Sequence, residues 1–312
     1  MNLHEDIKAF RTIIDNISNT TGLRSDVIEK DYYVTLMLKE LASKQAKIPA
    51  YFKGGTALYK ALKSIRRFSE DIDITLCTDS YSTNNQIKTN LEKVSKKFLS
   101  LQFGKNEVNT KGAITSIYHY DSLFDLDVND SLQRFGNVKV EATSFTISEP
   151  YHDIAVSPVL YDYATVEFKD TLKTKYNVYP FAVKTITLPR IFVDKIFAAE
   201  FYYQRKEYFD VAKHVYDITV LLQNEDIRMF LKNNEELNRI VGLKREEEKD
   251  RIGSNLDDKS IKEFSYLDEL EHDKEFASDF ERMQKIYVLN KADILDIKKV
   301  YESIEMVKAK FC

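Results

Sequence analysis

The segment that most constrains this chain is Tyr51–Leu76, YFKGGTALYKALKSIRRFSEDIDITL. Tyr51-Phe52 reads as a short strand after Pro49. Gly54-Gly55 allows a sharp turn and a close approach of ligand to backbone. From Thr56 to Ile65, Ala57, Leu58, Ala61, Leu62 and Ile65 recur at helical spacing. Asp71-Ile72-Asp73-Ile74 alternates, so a strand there shows both aspartates on one face and both isoleucines on the other. Carboxylates about 6–7 Å apart on one strand face repel each other. A divalent cation removes that repulsion, and carboxylate oxygens suit Mg²⁺, or Mn²⁺ in its place.

A chemistry follows from this order of elements. Backbone N–H groups at Gly54-Gly55 and at the start of the following helix suit a triphosphate. Asp71 and Asp73 are the candidate metal ligands. A two-metal site needs a third carboxylate from a neighbouring strand. Asn137–Phe145 supplies one: Val138, Val140 and Ala142 alternate with Lys139, Glu141 and Thr143. Glu141 can complete the metal site and take a proton from an attacking hydroxyl, directly or through water. Arg67, next to the aspartate strand, is a candidate phosphate contact because a guanidinium suits phosphate.

Around this segment the chain divides in character. Residues 3–18 read as a first helix and Ser25 as the N-cap of a second. Within the second, Glu29-Lys30-Asp31-Tyr32 has the pattern of a solvated face with an internal ion pair. Glu29 and Asp31 could also help the site or brace the helix against it. Ser80–Asn85 reads as a polar loop and Asn90–Leu101 as a helix, with Lys88, Lys93, Lys96 and Lys97 outward. Strands are expected at 107–109, 115–120 and 137–145, and at 181–183. From Pro189 the pattern is helical: 208–222, 226–251, 274–288 and 292–310. A helix end is expected at the charged run Lys244–Arg251. The expected fold is α/β (α+β): a mixed sheet flanked by helices at 1–187, then an all-α helical bundle at 188–312. Lys195 falls among apolar neighbours, where its stem can lie along the core. His214 and Asp217 read as a helix-surface pair or as substrate-orienting residues; zinc is disfavoured because the 5 histidines show no ligand spacing.

Composition narrows the class. The 312 residues are 43% hydrophobic and 31% charged, with mean hydropathy −0.40, as in globular domains. No apolar run reaches membrane-span length and residues 1–20 lack a signal-peptide core, so a cytoplasmic, non-membrane protein is expected. Cys77 and Cys312 are read as free thiols. A net charge of −4 argues against non-specific coating of nucleic acid, but not against a local basic patch. Lys60, Lys63, Arg66, Arg67 and Lys88–Lys97 are the candidate RNA contacts.

FKGGTALYKAL…RRFSEDIDI resembles the nucleotidyltransferase signature of the AbiEii/AbiGii toxins, the toxin half of bacterial type IV toxin–antitoxin and phage-abortive systems. Glu29–Tyr32 is similar to the family's EKDYWVT-like stretch, with Tyr33 where Trp is common. Val138–Glu141 is similar to its strand with the third acidic residue. Leu188–Arg190 through Ala198 is similar to its lysine-bearing helix, and Lys213–Asp217 to its RHYYDL-type segment. The resemblance spans 25–222. It implies a DNA polymerase β-like fold and transfer of nucleotides from NTP with Mg²⁺, in some members to the acceptor end of tRNA. It further implies that Lys53, Gly54, Gly55 and Thr56 contact phosphates, that Arg67 and Ser69 orient the loop or substrate, and that Lys195 neutralises the triphosphate. A separate antitoxin is an implied partner. An RNA 3′ end, that of tRNA in particular, is the expected acceptor; a protein hydroxyl and a non-catalytic nucleotide- or RNA-binding module are the competing readings.

Overall fold

The computed structural model describes residues 1–64, 66–69, 71–78, 82–110, 112–125, 134–251 and 253–311. The chain divides into two compact units, Met1–Thr185 and Ile186–Cys312.

The first unit carries a mixed sheet of seven strands: β1 (Ala50–Lys53), β2 (Ile72–Leu76), β3 (Gln102–Asn109), β4 (Ala113–His119), β5 (Asn137–Thr143), β6 (Tyr151–Val156) and β7 (Phe181–Ile186). Their order is β3-β4-β5-β2-β1-β7-β6. β2 runs antiparallel to β1 and parallel to β5, so the aspartate strand lies in the middle. Its helices are α1 (Ile7–Thr21), α2 (Ser25–Lys44), α3 (Gly54–Leu62), α4 (Asn84–Ser95), α5 (Val159–Asp162) and α6 (Val166–Tyr176). Phe52, Ile72, Ile74, Val138 and Val140 are fully buried on one sheet face. Each contributes about 1.5–3 kcal/mol by leaving water. The opposite face holds the polar partners of the same alternation.

Several boundaries moved for local reasons. α3 begins at Gly54, because the left-handed turn at that residue (φ 79°) feeds straight into the helix. α4 starts at Asn84 instead of Asn90, since the Thr83 hydroxyl accepts from the Gln86 N–H and caps it. Arg24, not Ser25, is the cap residue of α2. The expected helix 3–18 is a 3₁₀ turn, Leu3–Glu5, followed by α1. Ile65, Cys312 and part of the Ser80–Asn85 loop lie outside the described residues.

The second unit contains α7 (Leu188–Tyr203), α8 (Tyr208–Leu222), α9 (Glu225–Lys232), α10 (Asn234–Asp250), α11 (Tyr266–Glu269), α12 (Lys274–Tyr287) and α13 (Ile297–Phe311). α7 carries its proline in the first turn, where no N–H is missed. The expected helix 226–251 is two helices, broken where the Asn233 side chain accepts from Glu236 N–H and caps α10. The charged run ends α10 as expected, but it is not a solvated run: Lys244, Glu247 and Glu248 are buried. Lys244 pairs with Glu247 and Glu248 at 2.5 and 2.7 Å, and Arg190 with Glu247 at 2.5 Å. Among the described residues no helix is long and apolar enough to cross a membrane.

Candidate active site

Strand register builds the site. Lys53 lies opposite Asp73, Asp73 opposite Glu141, and Glu141 opposite Thr115. These four residues form one row across β1, β2, β5 and β4, with neighbouring strands about 4.8 Å apart. Asp73 and Glu141, 68 positions apart in sequence, are thereby side by side. Asp71 precedes β2 by one residue and falls on the same face as Asp73.

The glycine pair is packed against this row. A Cβ on Gly54 would sit 1.9 Å from Asp73 Oδ2. A Cβ on Gly55 would meet Ser69 Oγ at 2.6 Å and Arg67 Nη2 at 3.1 Å. Both positions therefore exclude side chains for packing reasons, and Gly54 for its positive φ as well. Thr56 Oγ1 donates to Ser69 Oγ at 3.1 Å. Arg67 is buried, with its guanidinium 5.6 Å from the Tyr59 ring centre. Gly54, Gly55, Thr56, Arg67, Ser69 and Asp73 are thus brought together in the first unit.

The sequence reading assigned Lys139 no role. Its ammonium lies 2.8 Å from Glu141 Oε1 and 3.7 Å from Glu107 Oε2. Burial works against its charge. The hydrogen bond to Glu141, and then the charges of Glu141, Asp71 and Glu107, outweigh burial and hold the ammonium well above the ordinary lysine range. The ammonium thus lies in the field of Glu141, Asp71 and Glu107. The donor set therefore fits a hard divalent cation in chemistry and sign of field. Among the described residues no group of three His, Cys, Asp or Glu is drawn close enough to hold a metal as it stands. The residue spacing carried the signal for Lys139: two positions before Glu141 on a strand means the same face.

Glu29-Lys30-Asp31-Tyr32 is not a solvated face. All four residues are buried. Glu29 accepts from Ser122 Oγ at 2.6 Å and Leu123 N–H at 2.8 Å; burial pushes its carboxyl up, against those two bonds. Lys30 Nζ donates to the Arg134 carbonyl at 2.5 Å. Asp31 accepts from Lys60 Nζ at 2.6 Å and from Val159 N–H at 2.7 Å. The stretch braces α2 to the two ends of the connection between β4 and β5, to α3 and to α5. Lys60, one of the expected RNA contacts, is instead a part-buried structural partner of Asp31, also bonded to Thr35 and the Ser157 carbonyl. A small pocket is lined jointly by Lys30, Asp31 and Lys60 of the brace and by Thr56, Arg67 and Ser69.

Lys195, His214 and Asp217 belong to the second unit. Lys195 Nζ lies 2.8 Å from Asp217 Oδ2, and Asp217 is fully buried. Asp217 is therefore not at the helix surface: it pairs with Lys195 across α7 and α8. His214 stacks on Tyr202, ring centres 5.3 Å apart.

The family model "Nucleotidyl transferase AbiEii toxin, Type IV TA system" matches residues 36–304, most of the chain. The chain belongs to the AbiEii nucleotidyltransferase toxin family. It is accordingly a nucleotidyltransferase, of a class that uses NTP and divalent metal, and the toxin member of a type IV system with a separate antitoxin. The match runs well beyond residue 222, where recognisable motifs stop, and begins after the Glu29–Tyr32 brace. Among solved structures, MenT4, the nucleotidyltransferase toxin Rv2826c of Mycobacterium tuberculosis H37Rv, is similar over 96% of this chain and 99% of that one, at 13% identity and a TM-score of 0.49. No curated protein matches the chain.

Proposed function

We propose that the first unit transfers a nucleoside monophosphate from NTP to the 3′-terminal hydroxyl of an RNA, with Mg²⁺ as the metal and tRNA as the preferred RNA class. The observation that carries this is the row Lys53–Asp73–Glu141, with Gly54 packed on Asp73. It sets phosphate-binding backbone beside paired carboxylates, the arrangement phosphoryl transfer needs.

Asp71, Asp73 and Glu141 would hold the metal, which when bound neutralises phosphate charge and lowers the pKa of the acceptor hydroxyl. Gly54, Gly55, Thr56, Ser69, Arg67 and Lys53 hold the triphosphate. Glu141 takes the hydroxyl proton, directly or through a water. The acceptor oxygen bonds to the α-phosphorus, the bond from that phosphorus to the bridging oxygen breaks, and pyrophosphate leaves. Lys139 is the counter-ion of Glu141. In the second unit, which we take to be a helical-bundle domain, Lys195 pairs with Asp217; the resemblance of its helix to the family's lysine-bearing helix supports a charge-neutralising role. We place the reaction in the cytoplasm.

Purified protein incubated with Mg²⁺, each labelled NTP, total RNA and cell protein tests the proposal. Label is expected in RNA, and Asp73→Asn is expected to lower it by about a thousandfold or more without loss of thermal stability. Label in protein alone would overturn the RNA acceptor. No label in either fraction would overturn the transfer chemistry at these residues.

A further inference from the structure

One row beyond the carboxylates, the same sheet face carries a different set of groups. Tyr51 is opposite Thr75, and Thr75 opposite Thr143. Tyr51 is two residues before Lys53 on β1, so it shares that face, about 7 Å further along the strand. Tyr151, the first residue of β6, stacks on it with ring centres 4.0 Å apart and planes 24° from parallel. Tyr51 is buried, whereas Tyr151 is 43% exposed. Burial, and then the Tyr151 hydroxyl, raise the Tyr51 phenol above its ordinary range, so the lower ring stays neutral.

The chain leading into Tyr151 is pinned to the sheet. Thr75 Oγ1 donates to the Thr146 carbonyl at 2.9 Å and shares a bond of 3.1 Å with Ser148 Oγ. Thr146 Oγ1 donates to Thr75 Oγ1 at 2.6 Å. The exposed ring therefore rests on a fixed ring, at the end of a fixed loop. A ring held this way loses little freedom when a planar group covers it.

Direction along β1 decides which planar group. The glycine turn, the carboxylate row and the tyrosine row follow one another along the strand axis. If the triphosphate is held at the glycines, pyrophosphate departs on that side, and in-line displacement requires the acceptor hydroxyl from the opposite side. The tyrosine row is on the opposite side. We infer that Tyr151, backed by Tyr51, is the stacking platform for the unpaired terminal base of the acceptor RNA. Stacking on a ring face reads no base edge, so the platform tolerates any terminal base. This inference rests on the RNA-acceptor reading and adds the residue that recognises it.

The test is steady-state transfer by the full chain to a short single-stranded RNA, with KM measured separately for RNA and for NTP. Tyr151→Ala is expected to raise KM for RNA about tenfold, the scale of one lost base stack, and to leave KM for NTP within about twofold. Tyr151→Phe and Tyr151→Trp are expected to keep RNA affinity, because they keep a ring. Acceptors ending in each of the four bases should respond alike. Given transfer to RNA by the unaltered chain, an unchanged KM for RNA in Tyr151→Ala, or equal rises in both KM values, would overturn the platform alone. Absence of RNA transfer by the unaltered chain would overturn the acceptor reading and the platform with it.

Discussion

Two acidic sets in the first unit face opposite demands. Glu29 and Asp31 on α2 are buried and bonded to groups of their own chain: Ser122, Leu123, Lys60 and Val159. Asp73 and Glu141 lie side by side on neighbouring strands, partly exposed, with Lys139 as the cation on Glu141. In the first set each charge has protein donors and holds segments together. In the second, like charges are placed together, which costs the apo fold and suits a cation. The same residue types therefore predict different failures: the brace should fail in stability, the site in chemistry.

The largest expected effect tests the brace. Asp31→Ala leaves Lys60 buried without its carboxylate and should cost about 3–5 kcal/mol, read as a lower midpoint in urea unfolding. Asp31→Leu combined with Lys60→Met, which removes both charges, should recover much of that. Full stability in Asp31→Ala would break the comparison, because the buried pair would then not hold the fold. Next comes Gly54→Ala, aimed at the site. Its Cβ would fall 1.9 Å from Asp73 Oδ2, at a residue with φ 79°. A shift of Asp73 by an ångström should lower transfer about a hundredfold, with about 1–2 kcal/mol of backbone strain in the melting curve. Loss of folding without any specific loss of transfer would show the glycine serving the fold alone.

The smallest effect sharpens the contrast with a third set of charges, in the second unit. Burial raises the Glu248 carboxyl, but Lys244, Arg251 and Ser254 outweigh it and leave it below its ordinary value of 4.5. A depressed carboxylate contributes stability that is complete above the unfolded value and is lost as pH falls through the folded one. Burial likewise opposes the Lys244 charge, and Glu247, Asp194 and Glu248 raise it above 10.5, so its share is complete below that pH and lost above. The share of stability that these two groups carry should be flat between these limits and fall below pH 4.5. Glu248→Gln should flatten the acid limb, measured by urea unfolding from pH 7 to pH 3.

What was legible in the sequence was local. Gly54-Gly55, Asp71–Asp73 and Glu141 lie in short segments whose period sets the face of each side chain, and the register then placed Asp73 and Glu141 in one row. Pro189 and the end of α10 were legible for the same reason. Pairings across the chain were not. Nothing near Asp31 marks Lys60, 29 residues on, as its partner, and nothing near Lys195 marks Asp217. The pattern of Glu29–Tyr32 matches that of an exposed face, because periodicity reports which side a residue is on and not what covers that side. The same limit hid the burial of Lys244, Glu247 and Glu248. The Asn233 break between α9 and α10 was missed because a single capping side chain, and no glycine or proline, makes it.

The Asp31–Val159 bond also sets an order of events during synthesis. Its two ends are 128 residues apart, with every strand from β1 to β6 between them. A ribosome adding about 5–20 residues per second takes roughly 6–26 s to cover that distance. Until then α2 lacks its tie to α5, although the glycine turn and the aspartate strand have long since emerged. The brace thus acts as a clock: the nascent toxin carries its aspartates early and acquires Glu141 and the tie to α5 late.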